Sequence, residues 1–344
     1  MAAPALVFAI AILAHSSVAM GAAGAAADPA TPDTRNFTVP SAPSTAKAKG
    51  PVTYVFGDSM SDVGNNNYFP MSLAKSNYPW YGIDYPGRES TGRFTNGKTI
   101  GDYMADKLGA PSPPPFLSLS LAGKDVLGGV NFASGGAGIL NETGVYFVQY
   151  LSFDEQITCF ETVKRAMIAK IGKEAAEAAV NAALFQIGLG SNDYINNFLQ
   201  PFMADGTTYT HDQFIRLLIT TLDRQLKARI NHRHRTVSHT VPSYMQCSFA
   251  NPLHVLLLQR LYGLGARKVV FNGLAPLGCI PSQRVRSTDG KCLGNVNAYA
   301  LQFNAAAKKL LDGMNAKLPG AQMALADCYS VVMELVQHPE KHGN

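Results

Sequence analysis

From residue 52 onward the chain alternates short apolar runs with longer stretches in which apolar positions recur every three or four residues. The runs are VTYVFG at 52–57, VNFA at 130–133, ALFQIGL at 183–189, RKVVFN at 267–272 and AQMALA at 321–326. Each is short and either β-rich or bounded by glycine, as strands buried on both faces tend to be. Between them the spacing predicts helices at about 98–108, 154–181, 211–230, 253–264 and 295–318. The last has the clearest stripe. Val296, Tyr299, Phe303, Ala306, Leu310, Met314 and Leu318 fall three or four apart, and Pro319-Gly320 closes it. Strands alternating with helices predict an α/β protein whose parallel sheet is covered on both faces. In such folds ligands sit beyond the carboxyl ends of the strands, so chemistry is expected in the loops there.

Ahead of this pattern the texture is different. Residues 4–14 read PALVFAIAILA and are followed by HSSVAMGAAGAAA. An apolar stretch of about 7–15 residues before small residues has the form of a secretory signal. Ser17-Val18-Ala19 offers one cleavage site and the alanines up to Ala27 offer others. Only the terminal amine is positive there, and the competing reading is a buried N-terminal helix. Residues 1–27 are therefore expected to be a signal and Ala-rich leader, 28–50 a flexible linker, and 51–344 the folded domain. No apolar run reaches the roughly 20 residues of a spanning helix, so no stable membrane insertion is expected.

Secretion would expose two sequons, Asn36-Phe37-Thr38 and Asn141-Glu142-Thr143. It would also oxidise cysteines, and there are five: Cys159, Cys247, Cys279, Cys292 and Cys328. An odd number leaves one unpaired or paired elsewhere.

Composition narrows the class. Hydrophobic residues make up 47% and charged residues 15%, which excludes a disordered chain and a coiled coil. The net charge of +5 is matched by one stretch, Arg224, Lys227, Arg229, Arg233 and Arg235, with no acid among them. It lacks the aromatics or motif of a nucleic-acid footprint and reads as a solvated helix face. No nucleic-acid partner is expected, and no oligomeric state is implied.

Three strand-end loops carry candidate chemistry. The first run ends in Phe56-Gly57-Asp58-Ser59-Met60-Ser61-Asp62. A serine just after a buried strand can expose its hydroxyl and leave its N–H free for an oxyanion. The spacing is Gly-x-Ser-x-Ser rather than the Gly-x-Ser-x-Gly elbow of α/β-hydrolases. Taken alone, Ser59 or Asp58 could equally cap a helix. After 130–133 comes the glycine-rich Ser134-Gly135-Gly136-Ala137-Gly138, able to offer backbone N–H groups. After 183–189 comes Gly190-Ser191-Asn192-Asp193-Tyr194, where Asn192 could donate to a developing oxyanion, a role worth about 2.7–4 kcal/mol. A nucleophile and two donors on three such loops form a combination that chance rarely supplies.

At this point the chain resembles the plant-type GDSL (SGNH) esterase/lipases. The resemblance runs from Thr53 to about Gly343. It rests on FGDSMSDVGNNNY (56–68), STGRFTNGKTIGDY (90–103), VNFASGGAGIL (130–140), QIGLGSNDY (186–194), GARKVVFNGLAPLGCIPSQ (265–283) and FNAAAKKLLDGMNAKLPGAQ (303–322). It implies a three-layer α/β/α, flavodoxin-like hydrolase that cleaves small-molecule or lipid esters without a cofactor. Ser59 would be the nucleophile, and the N–H groups of Ser59 and Gly136 with the Asn192 side chain would form the oxyanion hole. Met60 stands where the family name has Leu, a mild apolar exchange.

A serine nucleophile needs a base and the base an orienting carboxylate. The family places both on one Asp-x-x-His segment, and this chain has none. Three positions before its eight histidines stand Ile12, Thr208, Arg229, Asn231, Thr236, Asn251, Leu335 and Pro339. No catalytic His or Asp is therefore assigned. His338-Pro339-Glu340 resembles an earlier surface loop of the family rather than its catalytic block, which would lie beyond Asn344. That block's Cys-containing approach would also account for the odd cysteine, while Cys279 and Cys292, 13 apart, are a candidate disulfide. Residues 230–252 interrupt the resemblance and read as a surface loop or retained non-coding sequence. Their His232-x-His234 lacks a third ligand, so no metal is expected. The expectation is a secreted serine ester hydrolase. Beside it stand a catalytically impaired or silent acyl-binding member and a truncated gene product.

Overall fold

The computed structural model describes residues 50–203, 205–227 and 261–342. The leader, Asn36 and residues 228–260, with His232, His234 and Cys247, lie outside them. So does nearly all of the 253–264 segment, whose described end, Leu261–Gly265, is a turn.

Among the described residues five strands form one all-parallel sheet: β1 (Thr53–Gly57), β2 (Val130–Asn131), β3 (Leu184–Gly188), β4 (Lys268–Asn272) and β5 (Gln322–Ala326). Their order is β2-β1-β3-β4-β5, with Thr53 opposite Leu184 and Gly57 opposite Gly188. The chain thus runs outward in both directions from the β1/β3 pair. The crevice beyond the carboxyl ends of that pair is the place where doubly wound sheets hold ligands.

The principal helices are α1 (Ile100–Leu108), α2 (Phe153–Ile171), α3 (Lys173–Ala182), α4 (His211–Lys227), α5 (Gly294–Lys317) and α6 (Cys328–Gln337). Tyr54 and Phe56 present alternate β1 positions to one face. There Phe160 of α2 meets the Tyr54 ring at 4.9 Å and the Phe185 ring at 5.3 Å. Phe303 of α5 lies over Phe271 of β4 on the same side, with ring centres 6.4 Å apart. On the opposite face α1 approaches so closely that a side chain at Gly101 would meet Val55 and Gln186 at 3.7 and 3.5 Å. These contacts cover both faces of the parallel sheet, as the pattern predicted, and make the three-layer α/β/α sandwich that the resemblance implied. The rings of Tyr54, Phe56, Phe160, Phe185, Phe271 and Phe303 are fully buried, and each stabilises the fold by up to about 3 kcal/mol.

Two elements depart from the sequence reading. The helix expected over 154–181 is two helices, broken at Gly172, whose φ of 83° no helix accommodates. The run at 130–133 pairs as a ladder only over Val130–Asn131; beyond it Phe132 N–H still donates to the Val55 carbonyl at 2.7 Å and Ser134 N–H to the Gly57 carbonyl at 3.0 Å. Helix α6 was not predicted. Its Val331, Leu335 and Val336 are exposed, so it lacks the buried stripe on which the periodicity argument depends.

Candidate active site

β1 ends in a glycine for a steric reason: a side chain at Gly57 would stand 2.8 Å from the Gly188 carbonyl of β3. The chain then leaves the sheet while still tied to it, as the Asp58 N–H donates to that same carbonyl at 3.2 Å. Residues 58–62 form a single turn, with the N–H groups of Ser61 and Asp62 donating to the Asp58 carbonyl and that of Met60 to Asp58 Oδ1 at 2.9 Å. No long helix follows, only a 3₁₀ turn over Asn65–Tyr68. Asp58 therefore takes the capping role. Ser59 keeps its hydroxyl and its N–H without a hydrogen-bond partner among the described residues, and it is partly exposed.

Gly136 follows β2. Its φ of 94° favours glycine, and a side chain there would collide with the Phe147 ring at 2.5 Å. Its N–H has no acceptor among the described residues. Asn192 follows β3 and is mostly buried. Its Nδ2 donates to the Ala137 carbonyl at 2.8 Å, and its Oδ1 accepts from Asn196 Nδ2 at 2.6 Å. The amide is held at both ends and retains one N–H. The next residues, Tyr194–Phe198, form a π-helical turn, a form common at functional sites. Because β2, β1 and β3 are neighbours, Ser59, Gly136 and Asn192 stand on three adjacent loops at one end of the sheet.

Beneath these loops lies a buried polar layer that the sequence reading did not single out. Asp62 accepts from the N–H groups of Gly64 and Asn65, both at 2.7 Å, and of Gly135 at 3.1 Å. Asp193 accepts from Ile139 N–H at 2.8 Å, Leu140 N–H at 3.0 Å and the Thr143 hydroxyl at 2.8 Å. Asn65 Nδ2 bonds the carbonyls of Asn131 and Ala133, both at 2.9 Å. Burial raises the carboxyl of Asp58 to about 7, with the neighbouring Asp193 charge adding to it. Burial likewise lifts Asp62 and Asp193 to about 6 against the pull of their N–H donors.

No histidine is hydrogen-bonded to Ser59 among the described residues. His211 Nε2 faces the Tyr194 hydroxyl at 3.1 Å and its ring stacks on Tyr299 at 3.8 Å. His338 ends α6 at the surface, with Nδ1 3.5 Å from Glu340. No group of three or more metal-ligating side chains is assembled among the described residues, and no helix there is long and apolar enough to cross a membrane.

The remaining candidates fall outside this cluster. Cys279 and Cys292 are bonded, Cys159 is also in a disulfide, and Cys328 is free. Asn141 is exposed, yet its Nδ2 donates to Asp154 Oδ2 at 2.8 Å. From the basic stretch, Arg224 reaches Asp154 at 3.4 Å and Lys227 pairs with Asp223.

Comparison with known proteins gives the cluster a context. Residues 54–341 match the family model for GDSL-like lipase/acylhydrolase. One GDSL esterase/lipase of Arabidopsis thaliana is 51% identical over 292 residues, covering 85% of this chain and 73% of the relative. A second from the same plant is 41% identical over 294 residues, covering 85% and 71%. The Arabidopsis GDSL esterase/lipase 7 is 37% identical over 299 residues, covering 85% and 72%. A match over nearly the whole folded region, on a doubly wound sheet with three loops converging at its switch point, identifies the chain as a member of the GDSL-like lipase/acylhydrolase family of carboxylic ester hydrolases.

Proposed function

We propose that this chain is a secreted serine ester hydrolase in which Ser59 is the nucleophile and the N–H groups of Ser59 and Gly136, with Asn192 Nδ2, bind the oxyanion. One observation carries the reading: at the β1/β3 crevice a serine hydroxyl and two backbone N–H groups stand unpartnered beside an amide clamped with one N–H to spare. Buried polar groups are normally hydrogen-bonded, so donors left unused at a strand-end crevice support a site that meets a ligand. In the reaction, Ser59 Oγ bonds to the acyl carbon and the carbonyl electron pair moves onto oxygen, where the three donors receive it. Collapse expels the alcohol, and water then releases the acid from the acyl-serine. Donors already aimed at the developing charge need no reorganisation, which gives them their catalytic weight.

The hydroxyl proton must leave to a base, and His211 and His338 are engaged elsewhere. That observation supports a second reading, a site that binds acyl groups and turns them over slowly. A serine site without its base retains on the order of 10³–10⁴-fold over water. Hydrolysis of a short-chain p-nitrophenyl ester by the wild type and Ser59→Ala decides between them. A wild-type rate above that of the variant supports the serine mechanism, and equal rates leave the acyl-binding site with slow turnover. Ahead of the linker 28–50 and the hydrolase domain 51–344, the signal-like 1–27 and the sequon at Asn36 support secretion, whereas the sequon at Asn141 has its Thr143 buried against Asp193. N-terminal sequencing of the protein from culture medium tests it.

A further inference from the structure

We propose that Asp62 and Asp193 are positioning residues that grip the 134–143 loop from its two ends and thereby fix the Gly136 N–H against Ser59 and Asn192. The inference rests on the oxyanion-hole reading above and deepens it.

Each carboxylate belongs to the same turn as one proposed functional residue. Asp62 closes the turn that holds Ser59, its N–H donating to the Asp58 carbonyl at 2.9 Å. Asp193 directly follows Asn192. From those anchor points each reaches across to the one loop that has no functional side chain of its own. Asp62 Oδ2 receives Gly135 N–H at 3.1 Å, one residue before Gly136. Asp193 receives Ile139 and Leu140 N–H at 2.8 and 3.0 Å, three and four residues after it. Thr143 adds its hydroxyl at 2.8 Å. Gly136 therefore lies between two attachments, one leading to the serine loop and the other to the asparagine loop.

The chemistry suits this task. Hydrogen bonds from N–H groups to a carboxylate are shorter and about twice as strong as neutral ones. Both side chains are fully buried, so the bonds are not exchanged with water. A backbone donor cannot be aimed by rotating a side chain; only its own loop can aim it. A misplacement of about 1 Å can cost roughly 10²-fold in rate, which makes the loop's anchors functional. An Asn in either place keeps one acceptor oxygen but turns an NH₂ group toward backbone N–H donors, so part of each grip is lost.

The test uses the full chain and phenylboronic acid. Ser59 Oγ bonds to boron, its proton leaves to solvent, and the boron becomes a tetrahedral anion whose oxygen occupies the oxyanion position. Binding is read by the ¹¹B shift, for wild type, Asp62→Asn, Asp193→Asn, Thr143→Val and the surface control Asp312→Asn. Asn variants that unfold cooperatively like the wild type and bind at least about ten-fold more weakly support the proposal, with the control unchanged. Equal binding overturns it. Should an Asn variant not fold, Thr143→Val removes one donor only, and it decides by the same criterion at about three-fold. Should the wild type give no tetrahedral signal, the Ser59 reading fails on its own. The grip is then judged by amide hydrogen exchange: faster exchange of Gly135 in Asp62→Asn, and of Ile139 and Leu140 in Asp193→Asn, sustains it, and unchanged rates end it.

Discussion

Gln156 of α2 and the backbone of Gly57 form a reciprocal pair: Nε2 donates to the Gly57 carbonyl and Gly57 N–H donates to Oε1, each at 2.9 Å. The pair fixes the last residue of β1, two positions before Ser59, against the helix that covers that face. Nε2 also reaches the Leu151 carbonyl at 3.0 Å. Gln156→Ala leaves a buried N–H unpaired, while the Gly57 carbonyl keeps Ser134 N–H at 3.0 Å. One orphaned donor, one orphaned carbonyl and a small cavity together should cost about 2–4 kcal/mol. Urea unfolding measures it, and a loss below about 1 kcal/mol would show that the pair is dispensable.

Asn192 is held so that its free N–H has one direction. Asn192→Ala is expected to lower the Ser59-dependent hydrolysis rate by roughly 10²–10³-fold with little change in KM, as for loss of an oxyanion donor. Asn196→Ala removes only the bond that steadies Asn192 Oδ1, so its effect should be smaller and of the same kind. A larger loss in Asn196→Ala than in Asn192→Ala contradicts the ordering.

The legible part of this molecule is the part governed by period and punctuation. Apolar runs bounded by glycine gave all five strands, and the stripe from Val296 to Leu318 gave α5 to within a residue. The loops that carry Ser59, Gly136 and Asn192 were legible because strand ends in a parallel sheet are known in advance to converge, while the roles proposed for those residues came from the family resemblance. The carboxylates beneath them were not. Asp62 and Asp193 act through bonds to residues 73 and 54 positions away, and local sequence carries no record of such partners. Thr143 illustrates the same gap. It reads as the third residue of a sequon, yet it is fully buried with its hydroxyl on Asp193. The break at Gly172 was missed because a lone glycine inside a helical pattern is usually tolerated.

Val148 occupies φ 70°, ψ −55°, and the next N–H, Gln149, closes onto the Phe147 carbonyl at 2.8 Å. This is a γ-turn of the positive-φ type, rare and strained, and a β-branched residue suits it badly. The strain, about 1–3 kcal/mol, is held next to the ring that covers Gly136. The Val148 side chain is 54% exposed, so its removal forfeits little burial. Val148→Gly should therefore stabilise the fold by about 1 kcal/mol after glycine's extra chain entropy is subtracted. A lowered melting temperature would show that the surrounding loop does not store this strain.

Stability and oxyanion binding should respond to pH in opposite senses. Asp58 stands at about 7 and Asp62 and Asp193 at about 6, all raised by burial above the ordinary carboxylate range. Between about pH 4 and these values the native state holds protons that the unfolded chain has released, so stability falls as pH rises through that window. Each group contributes a slope of up to about 1.4 kcal/mol per pH unit. The neighbouring charges are Asp58, Asp62 and Asp193 themselves and Arg93; burial first, and the Asp193 charge after it, raise the Tyr150 and Tyr194 hydroxyls. Arg93 is already committed to Asp102, through bonds of 2.7 and 2.8 Å, and does not neutralise the cluster. Asp58→Asn removes the highest of the three and keeps an acceptor for Met60 N–H, so it should flatten the decline in stability between pH 5 and 7. Boronate binding itself releases a proton, so affinity rises with pH in any case. The grip on the 134–143 loop strengthens as Asp62 and Asp193 ionise, so the wild type should rise more steeply through about pH 6 than Asp62→Asn or Asp193→Asn. Thermal unfolding and ¹¹B titrations at matched pH separate the two trends. Stability that rises over this window in the wild type, with Asp58→Asn following the same curve, would mean that these carboxylates are ionised in the native state throughout.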